Sequence, residues 1–487
     1  MTDGETLAMG LNFIIKTFSI CTRGSLRPKR GWNDMKRFRS VICLVLFAAM
    51  VLCAGCKANV NRPRATHAPI VDHTQPPLPE DYDRTAAEVK TQDGNVKYLT
   101  SDAFSSTRAK GEVSAEFKAQ YSEFALRLLE ECFEGSGTLV SPLSVLTALQ
   151  MTANGAQGQT LDEMMRVLGG NIDRDTMNQQ LFNYYESLRN EEKAKFHVAN
   201  AIWMTDNPAF TVNKGFVNTI DNTFRAQLAK VPFGDPATVD AINRWCSDNT
   251  DEMIPKLLEY GDVDSNTVMV LANALCFDAQ WNWPYFDTQV KDQTFHGTRG
   301  NTTVQMMYSY HDNYIEGPKE TGFTKSYAGG YTFVALMPNK GISLDDYLKS
   351  LSGEEFLKLL DTVDYDCDLD AGLPKFSLDW DARLPDVLRR MGINAAFDPN
   401  AADFSALGTL PDGNIYIGDV IHKTHIEVNE KGTKAAAATA VDLPAGSAPF
   451  QAPRKHVKVI LDRPFVYAII DMANGLPIFI GLVTDIG

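Results

Sequence analysis

Residues 422–441 read HKTHIEVNEKGTKAAAATAV, and they admit two opposed readings. By propensity, the run Ala435, Ala436, Ala437 and Ala438 favours helix, and EKGTKAAAATAV (430–441) as an isolated peptide would be helical. By period two, Thr433, Ala435, Ala437, Thr439, Val441 and Leu443 share one face, and that face is uncharged. Lys434, Ala436, Ala438, Ala440, Asp442 and Pro444 form the other face, which holds both charges. Small residues followed by Val441 and Leu443 suit a strand laid against a core. Gly432 provides backbone freedom at the junction with Glu430. The preceding IHKTHIEV alternates in the same way, so His422 and His425 should point to opposite faces. That argues against a shared metal; His422 reads as a buried, hydrogen-bonded residue.

Outward from this stretch the texture is mixed α and β. Phe117, Tyr121, Phe124, Leu128 and Cys132 recur at spacings of three and four, one face of an amphipathic helix. Ser141-Pro142 opens a second helix, with Ser as N-cap, Pro at the first position and Gly155 after the last apolar turn. Further helices fit 160–168, 177–189, 236–249 and 383–391. β-Branched and aromatic runs lie at 196–204, 268–277, 331–338, 456–462 and 465–472, nearly continuous in apolar residues. Such runs predict strands buried on both faces of a large central sheet.

The composition is that of a globular chain: 487 residues, 44 % hydrophobic and 22 % charged. Residues 56–487 hold 38 basic against 58 acidic side chains, a net −20. So acidic a body repels phosphate backbones, which excludes nucleic acid as a partner. Cys132, Cys246, Cys276 and Cys367 are scattered without metal-ligand spacing, and four free buried thiols are expected. No nucleophile elbow, HExxH, phosphate loop or dinucleotide fingerprint occurs, so neither catalytic residues, nor a metal, nor a cofactor is expected.

Residues 35–56 read MKRFRSVICLVLFAAMVLCAGC, a basic start followed by a short apolar run. This is an export signal over 35–55. Its ending, LCAGC, resembles a bacterial lipobox, which implies lipidation at Cys56 and a membrane anchor. Residues 1–34 read as an extension ahead of a true start at Met35. Lys57 lacks the character of an inner-membrane retention signal, so the expected location is the outer membrane, or outside the cell. Residues 56–110, with Pro63, Pro69, Pro76, Pro77 and Pro79, read as an extended tether, and 111–487 as the folded body.

Five blocks in order resemble the signature segments of serpins: 141–169, 273–286, 373–407, 422–441 and 463–483. The resemblance implies an α+β fold of three β-sheets and eight or nine helices, with an exposed reactive-centre loop that baits a protease. It implies a monomer that forms a covalent 1:1 complex with a serine or papain-like cysteine protease, the cleaved loop inserting into the central sheet. Its hinge would comprise Glu430, Gly432, Thr433 and Ala435 to Ala438. Ser141, Ser144, Asn273 and His422 would form a polar cluster that parts on insertion, and Trp281 would pack where the stem first enters. Counting from Glu430 places the scissile bond at Gly446–Ser447. The stretch to Pro464 is longer than usual, which leaves Phe450, Arg454 and Lys455 as alternatives. The stem lacks charged or bulky inward residues, which favours an inhibitor over a non-inhibitory binding module of the same fold. With the loop outside the sheet, Thr433 is expected near the surface, so that Thr433→Arg would spare the native fold.

Overall fold

The computed structural model describes residues 89–90, 96–100, 106, 108–188, 191–224, 226–411, 413–433 and 454–487. All lie in the second of two compact units, Ala68–Gly487. Nine α-helices and three main sheets occur among the described residues, with a further two-stranded ribbon. The eight-stranded sheet runs in the order Val89–Lys90, Lys97–Tyr98, Ala226–Val231, Ala194–Thr205, Met269–Gln280, Gly432–Thr433, Asp419–Val428, Phe376–Arg383.

The expected helices form at Ala115–Cys132, Pro142–Ala153, Gly158–Leu168, Arg174–Ser187, Pro236–Asp248 and Pro385–Met391. Lys214–Thr223, Leu344–Lys349 and Gly353–Asp361 are additional. The last carried a readable signal, because Ser352 and Glu355 cap each other reciprocally. Every residue of Pro142–Ala153 is buried. Its two threonine hydroxyls bond within the helix, Thr147 donating to the Leu143 carbonyl at 2.6 Å and Thr152 to that of Ala148 at 3.0 Å.

Two sequence expectations change. The apolar runs do not share one sheet: Tyr331–Pro338 and Phe465–Asp471 lie in the six-stranded sheet, with every residue buried. His456–Ile460 edges the four-stranded sheet and is largely exposed. A period count sees that a run is apolar, not which of two sheets it joins. The folded body also begins before residue 111, the boundary expected from the sequence. Lys97 and Tyr98 pair with Lys230 and Ala229, Leu99 donates to the Leu228 carbonyl, and Tyr98 meets Trp203 edge-on. Arg108 donates to Thr223 and Gln179. Backbone pairing at a sheet edge asks little of side chains, so polar composition concealed it.

Candidate functional site

The candidate functional region is a seam in the central sheet, between Met269–Gln280 and Asp419–Val428. At its lower end these strands pair directly and in parallel, from Asp419 opposite Val270 to Lys423 opposite Ala274. At its upper end Gly432–Thr433 sits between them, Thr433 opposite both Ala279 and Val428. Between the two zones no register pair joins residues 275–278 to 424–427 among the described residues.

The chain reaches this position by a tight turn at 429–432. The Asn429 side-chain oxygen accepts the Lys431 N–H at 2.9 Å, and the Asn429 N–H closes the turn onto the Gly432 carbonyl at 2.9 Å. Gly432 is required by room: a Cβ there would lie 2.0 Å from the Ala279 carbonyl oxygen. Trp281, 2 % exposed, fastens the turn. Its ring N–H donates to the Asn429 carbonyl and its backbone N–H to that of Lys431, both at 2.9 Å, while the Tyr285 N–H takes the Glu430 carbonyl. The Lys375 ammonium, 2.8 Å from Glu430, holds that carboxyl below the usual carboxylate range.

Thr433 corrects the sequence expectation. It is 1 % exposed, and its hydroxyl shares a 2.5 Å hydrogen bond with Tyr327, which stacks on Trp281 at 4.0 Å. Alternation placed Thr433 on the core-facing side, but could not say that the first stem residue is already in the sheet. Beneath this stack lies a pair that the sequence did not reveal. Lys325 and Asp312 meet at 3.3 Å, each with its side chain 2 % exposed, and the ammonium lies over the rings of Tyr285 (4.2 Å) and Trp281 (5.4 Å). Burial pulls Lys325 down and Asp312 up, each toward its neutral form, against their mutual attraction.

At the lower end, His422 Nε2 accepts the Ser141 N–H at 3.0 Å, joining the seam strand to the start of the buried helix. The ring is therefore the tautomer protonated at Nδ1, and burial pushes its pKa down to about 3. Ser141 Oγ caps the helix through the Ser144 N–H at 3.4 Å, and Ser144 is fully buried. Asn273 stands opposite His422 in register; its side chain lies outside the described residues. His425 points to the other face and pairs with Asp379 at 2.7 Å, as the alternation required.

Ala435 to Ala438, expected in the hinge, and Gly446, Ser447, Phe450 and Cys56 lie outside the described residues. Arg454 and Lys455 do not. The Lys455 carbonyl accepts the Asp368 N–H at 2.8 Å, its ammonium pairs with Glu316 at 2.7 Å, and Arg454 lies 3.9 Å from Asp368. Cys132, Cys246, Cys276 and Cys367 are buried, and burial pushes the Cys132 and Cys246 thiols up to about 12. No group of three potential metal ligands occurs among the described residues, nor any helix long and apolar enough to cross a membrane.

A family model described as "Serpin (serine protease inhibitor)" matches residues 119–486. A serpin-like protein of Thermococcus kodakarensis is 28% identical over 90% of this chain and 97% of its own length. Iripin-5 of Ixodes ricinus is 32% identical over 62% of this chain and 78% of its own. Among solved structures, the thermophilic serpin tengpin in its native state superposes with a TM-score of 0.73, at 38% identity, covering 78% of this chain and 96% of that one. Its latent state gives 0.68 at 35% identity, covering 78% of this chain and 100% of that one. Fold, seam and family model agree, and this chain belongs to the serpin family.

Proposed function

We propose that this protein is a suicide-substrate inhibitor of serine or papain-like cysteine proteases. The observation that carries the reading is the seam: Gly432–Thr433 already occupies its upper end, above a stretch where the two strands are not paired. A protease nucleophile attacks the loop carbonyl, the peptide bond breaks, and the stem remains ester- or thioester-linked to the enzyme. The freed stem then follows Thr433 down the seam. About twelve inserted residues, each gaining on the order of 1 kcal/mol of ladder bonding plus apolar burial, supply roughly 10–20 kcal/mol. That suffices to deform an enzyme whose own stability is about 5–15 kcal/mol, and deacylation stops.

The scissile bond is assigned to Gly446–Ser447, with Phe450 as the alternative within the loop. A bond at Arg454 or Lys455 is disfavoured, because the Lys455 carbonyl and ammonium are both engaged where the chain re-enters a strand. The long return to Pro464 keeps a second reading in play, a non-inhibitory binding module. Mixing the full chain with chymotrypsin, trypsin, elastase and papain decides between them on an SDS gel. An inhibitor gives an SDS-resistant complex with at least one enzyme; a clipped chain without any complex would leave the binding module.

The reading places the protein outside the cytoplasm, tethered by lipid at Cys56 to an outer membrane. Labelling with radioactive fatty acid in a Gram-negative host tests this. The parent takes label and Cys56→Ser takes none; equal labelling would dismiss the anchor.

A further inference from the structure

The segment covering the central sheet reaches across the seam. The Pro236–Asp248 helix and residues 249–268 join Ala226–Val231 to Met269–Gln280, two strands on the same bank. Ile242, Trp245, Leu258 and Val263 of this segment share an apolar cluster with Trp203 on that bank and Ile421 on the opposite one. The segment is stiff: Asn243 accepts the Leu257 and Leu258 N–H groups at 2.7 and 2.8 Å and donates to the Leu258 carbonyl at 2.9 Å. Its Asp262 is fixed by the turn around Gly261 (φ 95°), where Oδ2 accepts the Glu259 N–H at 2.7 Å. Asp262 Oδ1 then lies 2.5 Å from Arg383 Nη2. Arg383 ends the outermost strand of the far bank, and its other terminal nitrogen pairs with Asp419, the first residue of the seam strand on that bank.

We propose that Asp262 and Arg383 form a latch that holds the seam closed at its lower end and slows strand insertion. The proposal rests on the insertion mechanism argued above. A strand entering the seam moves its banks apart by one strand spacing, about 4.8 Å. The Arg383–Asp419 pair lies within one bank and travels with it. The Asp262–Arg383 pair spans both, and a contact of 2.5 Å cannot survive that displacement unless the covering segment lets go. The pair therefore stabilises the closed sheet and is lost in the transition state for opening, so removing it speeds opening. Asp262 and Arg383 are 24% and 40% exposed, so the effect is modest and salt-sensitive.

The test uses the full chain and a fluorescein-labelled peptide KAAAATAVDLP, the sequence of residues 434–444, as an exogenous strand. Uptake is followed over time on native gels at low salt and in 1 M NaCl. Asp262→Asn keeps the shape of the turn, and Arg383→Gln removes the charge from the other side. Both should take up peptide about two- to fivefold faster than the parent at low salt, and the advantage should vanish at 1 M. Uptake by both variants at the parent's rate, or more slowly, overturns the latch and leaves insertion standing. A parent that takes up no peptide overturns the insertion mechanism and the latch with it.

Discussion

Thr433 is the residue on which the proposed mechanism turns, and its burial reverses one expectation. Because it is 1 % exposed and bonded to Tyr327, Thr433→Arg forces an unpartnered guanidinium into the intact sheet. Melting curves should show the intact variant destabilised by about 3–5 kcal/mol, the cost of an uncompensated buried charge. The clean probe of insertion is Ala437→Arg, two positions further along the same uncharged face. It should melt like the parent yet be cleaved by target proteases without trapping them, which an SDS gel reads as clipped chain and free enzyme. The Lys325–Asp312 pair makes a second residue-level prediction. Lys325→Met leaves a carboxyl alone at a 2 % exposed site and should lose about 3–5 kcal/mol in urea titrations. Lys325→Met/Asp312→Leu should recover most of that loss, because an apolar pair of similar size leaves no charge behind. No spacing rule could reveal this pair: Asp312 and Lys325 look like surface residues until the fold brings them together.

At the scale of elements, legibility followed the strength of the local signal. Ala115–Cys132 and Pro142–Ala153 were readable because apolar period and caps agree, Ser114 and Ser141 each accepting a first-turn N–H. In the stem the two local signals conflict, four alanines favouring helix and the two-residue period favouring strand, and only Gly432–Thr433 of it lies among the described residues, as strand. The turn that feeds it was written as an Asn three residues before a Gly, a signature that marks the reversal but not the depth to which Thr433 then enters. The junction between Pro142–Ala153 and Asp419–Val428 rests on the neutral His422 ring. Its folded pKa is near 3 against 6.5 for an unburied histidine, so the unfolded chain binds a proton first as the pH falls. Stability from His422 is thus complete above pH 6.5 and declines toward pH 3, at up to about 1.4 kcal/mol per pH unit. In chemical denaturation between pH 7 and pH 4, the parent should lose stability more steeply than His422→Gln by that increment; parallel slopes would show that the ring does not titrate this way.

For the whole molecule, the family blocks carried the three-sheet fold further than pattern alone could. Period and propensity located six of the nine helices and a minority of the strands among the described residues, and not their assignment to sheets, because partner choice is settled by packing between segments far apart in the chain. The Asp262–Arg383 contact escaped sequence reading for the same reason, as it joins residues 121 positions apart. The intact fold, in this account, withholds a strand from its own central sheet, so its most stable arrangement is reached only after the loop is cut. Differential scanning calorimetry of intact chain against chain nicked in the loop by elastase measures that stored difference directly. Insertion worth roughly 10–20 kcal/mol should raise the unfolding temperature by at least about 10 °C on nicking. A nicked chain that unfolds at or below the temperature of the intact one would contradict the account.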